Sequence, residues 1–143
     1  MPTNFLQVRG SAQNALTTEL NSLANNSLAI GSTITATSSG MLMAEFELLV
    51  TYGTAPTAGT SVLVWLLREI DGTNFEDGGS SVQPLRLFDA SFPLRAVTGA
   101  QRISRVVRMP PGNFKALLKN DGTGQSMAAS GNILSFRPFT DSY

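Results

Sequence analysis

The stretch Met41-Leu42-Met43-Ala44-Glu45-Phe46-Glu47-Leu48-Leu49-Val50-Thr51-Tyr52 sets the reading of the whole chain. Leu42, Ala44, Phe46, Leu48 and Val50 recur at every second position, with Met43, Glu45 and Glu47 between them. A period of two puts alternate side chains on opposite faces of a strand, so the run predicts a strand with one face buried and one wet. The next apolar run, Ser61-Val62-Leu63-Val64-Trp65-Leu66-Leu67, does not alternate. That is expected of a central strand covered on both sides, with Trp65 as a core anchor. The segment between the runs, Gly53-Thr54-Ala55-Pro56-Thr57-Ala58-Gly59, reads as a loop.

Working outward, Leu28, Ile30 and Ile34 alternate with Ser and Thr until Ser38-Ser39-Gly40 breaks the run. Further strands are predicted at 85–88, 92–97, 101–109, 114–120 and 133–137. In the last of these, Ile133 and Ser135 face one way, Leu134 and Phe136 the other, and Pro138 is expected to end it. Pro110-Pro111-Gly112 forces a turn, Asn120-Asp121-Gly122 signals a hairpin, and residues 71–80 form a long polar loop. Ala12, Leu16, Leu20 and Leu23 fall at helical spacing, but Thr17-Thr18 and the surrounding Asn and Ser favour extended structure. Residues 1–15 read as an arm, and residues 16–143 as one domain. Short strands separated by turns, without alternating helices, predict an all-β fold: an antiparallel β-sandwich, jelly-roll-like, with an extended N-terminal arm.

Composition narrows the function. A chain of 143 residues is near the commonest single-domain size and buries roughly two-thirds of its unfolded surface. Ten Lys and Arg balance ten Asp and Glu, and charged residues make up 14% of the chain. There is no large field to attract nucleic acid or anionic lipid, and a surface this poor in net charge is weakly protected against association. With neither His nor Cys, the usual neutral-pH base, the strongest nucleophile, disulfide staples and the commonest zinc and copper ligands are all missing. The opening residues lack the basic and apolar regions of a signal peptide, and the longest apolar run, 62–67, is far short of the roughly 20 residues a membrane-spanning helix needs.

Carboxylates remain. Glu45 and Glu47 share a strand face and could flank a substrate, although such a pair is more often the solvent side of a strand. Asp71, Asn74, Glu76 and Asp77 supply oxygens that calcium could use, but the spacing is not that of an EF-hand and turn-forming Asx residues explain the stretch as well. Gly122-Thr123-Gly124-Gln125 lacks the Lys-Ser/Thr of a phosphate loop, and Asn25-Asn26-Ser27 matches a glycosylation sequon but reads better as a turn. Arg95, Arg102, Arg105 and Arg108 read first as a solvated strand face, then as partners for carboxylates of a neighbouring subunit, and last as a nucleic-acid site, which would want interleaved aromatics.

Several segments together resemble a known group: Thr18-Glu19-Leu20-Asn21-Ser22-Leu23-Ala24, Phe46-Glu47-Leu48 followed by Thr54-Ala55-Pro56-Thr57-Ala58-Gly59-Thr60, Asp71-Gly72-Thr73-Asn74, Pro110-Pro111-Gly112-Asn113-Phe114-Lys115, and Ala128-Ala129-Ser130-Gly131-Asn132. From about residue 16 to 138 the chain is similar to small tailed-bacteriophage virion proteins with jelly-roll domains that decorate or cement capsids. These are turn and loop sequences, with no catalytic residues to transfer. The resemblance implies a homotrimer at local three-fold positions on the capsid exterior, made in the bacterial cytoplasm, that binds the major capsid protein and stabilises the shell. A neck or tail component is a compatible alternative.

The expected role is therefore structural, with no enzymatic activity, cofactor, metal, nucleic acid or membrane partner. Contact regions are expected at residues 1–15, 53–60 and 71–80, and the interface residues are Phe5, Leu6, Val8, Pro56, Asn74, Phe75, Arg102 and Arg105. The competing readings are a carbohydrate-binding module, for which one Trp and two Tyr are a thin supply of stacking rings, and a carboxylate enzyme.

Overall fold

The computed structural model describes residues 6–35 and 41–142; the expected anchor Phe5 and the Ser38-Ser39-Gly40 break lie outside them. Among the described residues nine strands follow in order: β1 (Leu6–Arg9), β2 (Gln13–Leu16), β3 (Leu28–Ile30), β4 (Met43–Val50), β5 (Ser61–Arg68), β6 (Ala90–Pro93), β7 (Gln101–Arg108), β8 (Phe114–Asp121) and β9 (Ile133–Ser142). They form two antiparallel sheets, one ordered β1-β9-β4-β7 with β2 also on β9, the other ordered β3-β8-β5-β6. β1 and β2 lie end to end along β9, from Leu6 opposite Ser142 to Leu16 opposite Leu134, and act as one interrupted edge strand. Counted that way, the chain's first strand neighbours its last in one sheet, and its second neighbours its second-last in the other. This is the wrapped order of a jelly roll.

The alternation in β4 is realised: Ala44, Phe46, Leu48 and Val50 are buried, while Met43, Glu45, Glu47 and Leu49 are only partly so. Leu42 instead lies just before the ladder begins and is exposed. Val62, Val64 and Leu66 of β5, with Phe114, Ala116 and Leu118 of β8, complete the layer between the sheets. Phe46 stacks on Phe136 at 5.2 Å, and Phe136 meets Phe114 edge-on at 5.9 Å. Burying one such ring is worth about 1.5–3 kcal/mol, against about 0–1 kcal/mol for an exposed ion pair like Arg9–Glu45 at 3.0 Å. The apolar layer, then, holds the sheets together.

Several expectations are corrected. Pro138 does not end β9, which runs on to Ser142. Its carbonyl accepts a bond from Gly10 N at 2.8 Å, so the missing Pro N–H falls at the gap between β1 and β2, where no ladder bond is lost. Residues 6–16 are extended as expected, and this part of the arm lies along the domain's own β9. The helical spacing of Ala12 to Leu23 yields β2 and a three-residue 3-10 turn, Thr18–Leu20. Asn120-Asp121-Gly122 is no hairpin, because the chain crosses to the other sheet after β8. The strand expected at 92–97 is β6, ending at Pro93; Gln101, buried, then closes the corner by accepting from Arg95 N at 2.8 Å and donating to Arg95 O at 2.9 Å.

One end of the sandwich is tied by amides. Asn120, fully buried, accepts from the Tyr52 hydroxyl at 2.8 Å and the Thr123 hydroxyl at 2.7 Å, and donates to Leu23 O and Gln125 O. Burial pushes the Tyr52 phenol up to about 12, with the Thr123 hydroxyl acting weakly the other way. Asn25 and Asn26, of the apparent sequon, accept from Gly124 N and Gly122 N and so serve as turn residues.

Candidate functional site

The outer face of the β3-β8-β5-β6 sheet explains the unalternating β5. Trp65, Leu67 and Leu117 form a second buried cluster, flanked by Leu28, Ile30, Leu63 and Phe88. Trp65 therefore anchors this outer layer, and the main core lies on the sheet's other side. The lid over it is the segment 69–89. Phe88 meets the Trp65 ring edge-on at 6.5 Å, and the Trp65 indole N–H donates to Arg86 O at 3.1 Å. Gly78 lies flat on the cluster: a Cβ there would sit 3.0 Å from both Leu67 methyls and 3.2 Å from a Leu117 methyl. Only glycine allows the chain so close.

The lid is stitched to β5 where β6 gives out. The register of β6 on β5 stops at Ala90 opposite Val64, leaving the β5 edge beyond it without a strand neighbour on that side. Side chains take over. Asp89 accepts from Leu66 N at 2.7 Å, Arg86 donates to Leu66 O at 2.8 Å, and Glu76 accepts from Arg68 N at 2.9 Å. Arg86 ties these groups together, bonding both Glu76 oxygens at 2.8 and 3.2 Å and both Asp89 oxygens at 3.0 Å. Burial opposes the charge on Arg86, but the bonds to Asp89 and Glu76 outweigh it and hold the guanidinium above its ordinary value. Glu76 is likewise penalised by burial, yet its bonds from Arg86 and Arg68 N hold its carboxyl below the usual value. A fork of this geometry can be made by Arg but not by Lys.

The lid also holds large apolar side chains out to solvent. Ile70 is 95% exposed, Leu87 77%, Val82 53%, and Leu85 wholly so. Four of the seven exposed large apolar side chains among the described residues thus sit in this one segment, which makes it the molecule's main unpartnered apolar surface. Residues 85–88, expected as a strand, have no ladder partner because Arg86 and Asp89 occupy the β5 edge with their side chains. That surface was missed in the sequence; its signal was the apolar Val82, Leu85 and Leu87 set in a polar, Gly-rich loop.

The expected interface residues are scattered. Leu6 and Val8 pair in β1 with Ser142 and Thr140. Pro56 is buried in its own domain, its loop held by the bond from Thr57 N to Thr123 O at 2.8 Å. Asn74 is exposed and donates to Asp71, while the half-buried Phe75 carries the Lys115 ammonium 4.6 Å above its ring. These two belong to the lid. Arg102 pairs with Glu47 at 2.6 Å on the far sheet's outer face. Arg105 lies at the rim, donating to Ser91 O of β6 at 3.0 Å and so joining the two sheets at their open edge.

Most of the candidate chemical groups are engaged in structure. Glu45 and Glu47 are tied to Arg9 and Arg102. Asp71 accepts from Thr73 N, Asn74 N and the Asn74 amide, and these bonds, led by the Asn74 backbone, lower its carboxyl to about 2. It caps an Asx turn. Among the described residues, no three Asp or Glu side chains converge as metal ligands, and no helix is long and apolar enough to cross a membrane. Compared with protein-family models and with curated proteins, the sequence matches none of either.

Proposed function

We propose that this chain is a structural subunit of a bacteriophage virion, which decorates and stabilises the capsid exterior by binding the major capsid protein as a homotrimer. The observation that carries the reading is the lid: a loop fixed by a fork of charged hydrogen bonds that holds Ile70, Val82, Leu85 and Leu87 out to solvent. A pre-set apolar surface loses little conformational freedom on docking, which is what a repeated protein contact needs. The wrapped strand order and the loop motifs that resemble capsid-decorating proteins support the placement on a phage shell. The sugar-binding alternative is disfavoured because Trp65 and Tyr52 are both buried and cannot stack on a sugar ring.

The test is co-sedimentation with undecorated capsids. Saturable binding, weakened by Leu85→Ser with Leu87→Ser, is expected. Failure to co-sediment, together with binding to glycans on an array, would overturn the reading.

A further inference from the structure

The charges of this neutral chain are sorted. Segment 69–89 holds Glu69, Asp71, Glu76, Asp77 and Asp89 against Arg86 alone, whereas segment 95–108 holds Arg95, Arg102, Arg105 and Arg108 and no acid. Internal pairing does not erase the contrast. Glu76 and Asp89 are paired with Arg86, Asp89 also with Arg68, and Arg102 with Glu47, but Glu69, Asp71 and Asp77 have no cation within ion-pair distance among the described residues. Lys115, over the Phe75 ring, and Arg68, beside Asp89, border them. Arg95, Arg105 and Arg108 have no carboxylate partner among the described residues; Arg105 bonds only carbonyl oxygens.

Among the described residues no ion pair joins the two groups within one copy. The lid covers the outer face of one sheet, over Trp65. Arg108 and Val106 stand opposite Met43 and Glu45, whose strand buries Ala44 and Phe46 on its other side, so both lie on the outer face of the other sheet. Among the described residues β7 is also an edge strand, paired only with β4; Val106 on it and Val97 in the loop before it are exposed. The molecule thus carries an acidic apolar surface on one side and a basic edge with two exposed valines on the other.

We propose that the partner of the lid is a second copy of this chain, its Arg95–Arg105–Arg108 edge, in a head-to-tail contact. Such a contact joins different surfaces of identical subunits, and closes into a ring when the rotation between copies divides the circle. A rotation of one third of the circle gives the trimer. This deepens the structural-subunit reading and rests on its homotrimer.

Charge reversal with rescue is the test, read by light scattering and sedimentation velocity at low and high salt. Arg95→Glu with Arg108→Glu changes two side chains that make no hydrogen bond or ion pair among the described residues; Glu69→Lys with Asp77→Lys reverses the lid. Each pair is expected to weaken association about tenfold or more, and all four in one chain to restore it. Unchanged circular dichroism and Trp65 emission in every variant guard against misfolding. A trimer that ignores both reversals, or that the combined chain fails to regain, overturns the head-to-tail arrangement while leaving the trimer standing. A wild-type chain that stays monomeric overturns both, and capsid co-sedimentation then decides the virion role alone.

Discussion

Arg86→Met shortens the side chain little and deletes the group that fastens the lid. The guanidinium bonds two carboxylates at 2.8–3.2 Å as well as Leu66 O at 2.8 Å. Hydrogen bonds to charged groups are worth about 1.5–3 kcal/mol each, and removing one member of a buried pair costs about 3–5 kcal/mol. Arg86 and Glu76 are 31% and 29% exposed, and Arg68 remains 3.8 Å from Asp89, so water and a second cation absorb part of the loss. A net loss of about 3 kcal/mol is expected. For 143 residues at roughly 2.1 cal/mol/K of unfolding entropy each, this lowers Tm by about 10 °C.

The change is also visible optically. Trp65 is the only tryptophan and lies under the lid, so its emission should shift red and become open to acrylamide quenching. Arg86→Lys should not restore it, because an ammonium cannot form the fork. A variant with wild-type emission and a Tm within about 2 °C of wild type would refute the role assigned to Arg86. Acid probes the same fastening in the wild type. Glu76 is held below its unfolded value, so its contribution is present above the ordinary glutamate range and lost as pH falls through the lowered value, with the Trp65 signal following.

Alkali tests the amide-tied end. Tyr52 rises from 10.0 to about 12, so the stability it confers is complete below pH 10 and is lost between about 10 and 12, on the order of 3 kcal/mol, while absorbance shows its late ionisation. Gly78→Ala forces a Cβ to 3.0 Å from the Leu67 methyls and should destabilise by about 1–3 kcal/mol with a Trp65 shift, which an unperturbed spectrum would contradict. Asn120→Ala strands the Tyr52 hydroxyl in a buried site and removes the amide's bonds to Thr123, Leu23 O and Gln125 O, and should lower stability by about 3 kcal/mol in a urea titration, against about 1 kcal/mol for Tyr52→Phe.

Period-two patterning made β4 and the start of β9 legible, because each buries one face against an apolar layer that demands alternation. β5 was legible as doubly covered, but not what covered it. That depends on Gly78 and Arg86, residues whose roles come from contacts with strand β5 that no local pattern encodes. Pro138 misled because a proline's effect depends on which neighbour its missing donor faces, and β9 is longer than its apolar stretch suggests. Asn120-Asp121-Gly122 has the composition of a tight turn, yet Asn120 is enlisted by Tyr52 and Thr123 for the crossing between sheets. Of the expected contact residues, Asn74 and Phe75 fell within the lid because polar loops advertise themselves, whereas Leu85 and Leu87 read as strand. Exposure of an apolar residue is a property of the fold, not of the run it sits in.

Imaging intact virions tests the central claim most directly. The account predicts three-copy clusters of jelly-roll domains on the capsid exterior, with the 69–89 segment of each copy against the 95–108 edge of the next. Particles in which the chain is absent from the shell, or present only as single, separated copies, would contradict it.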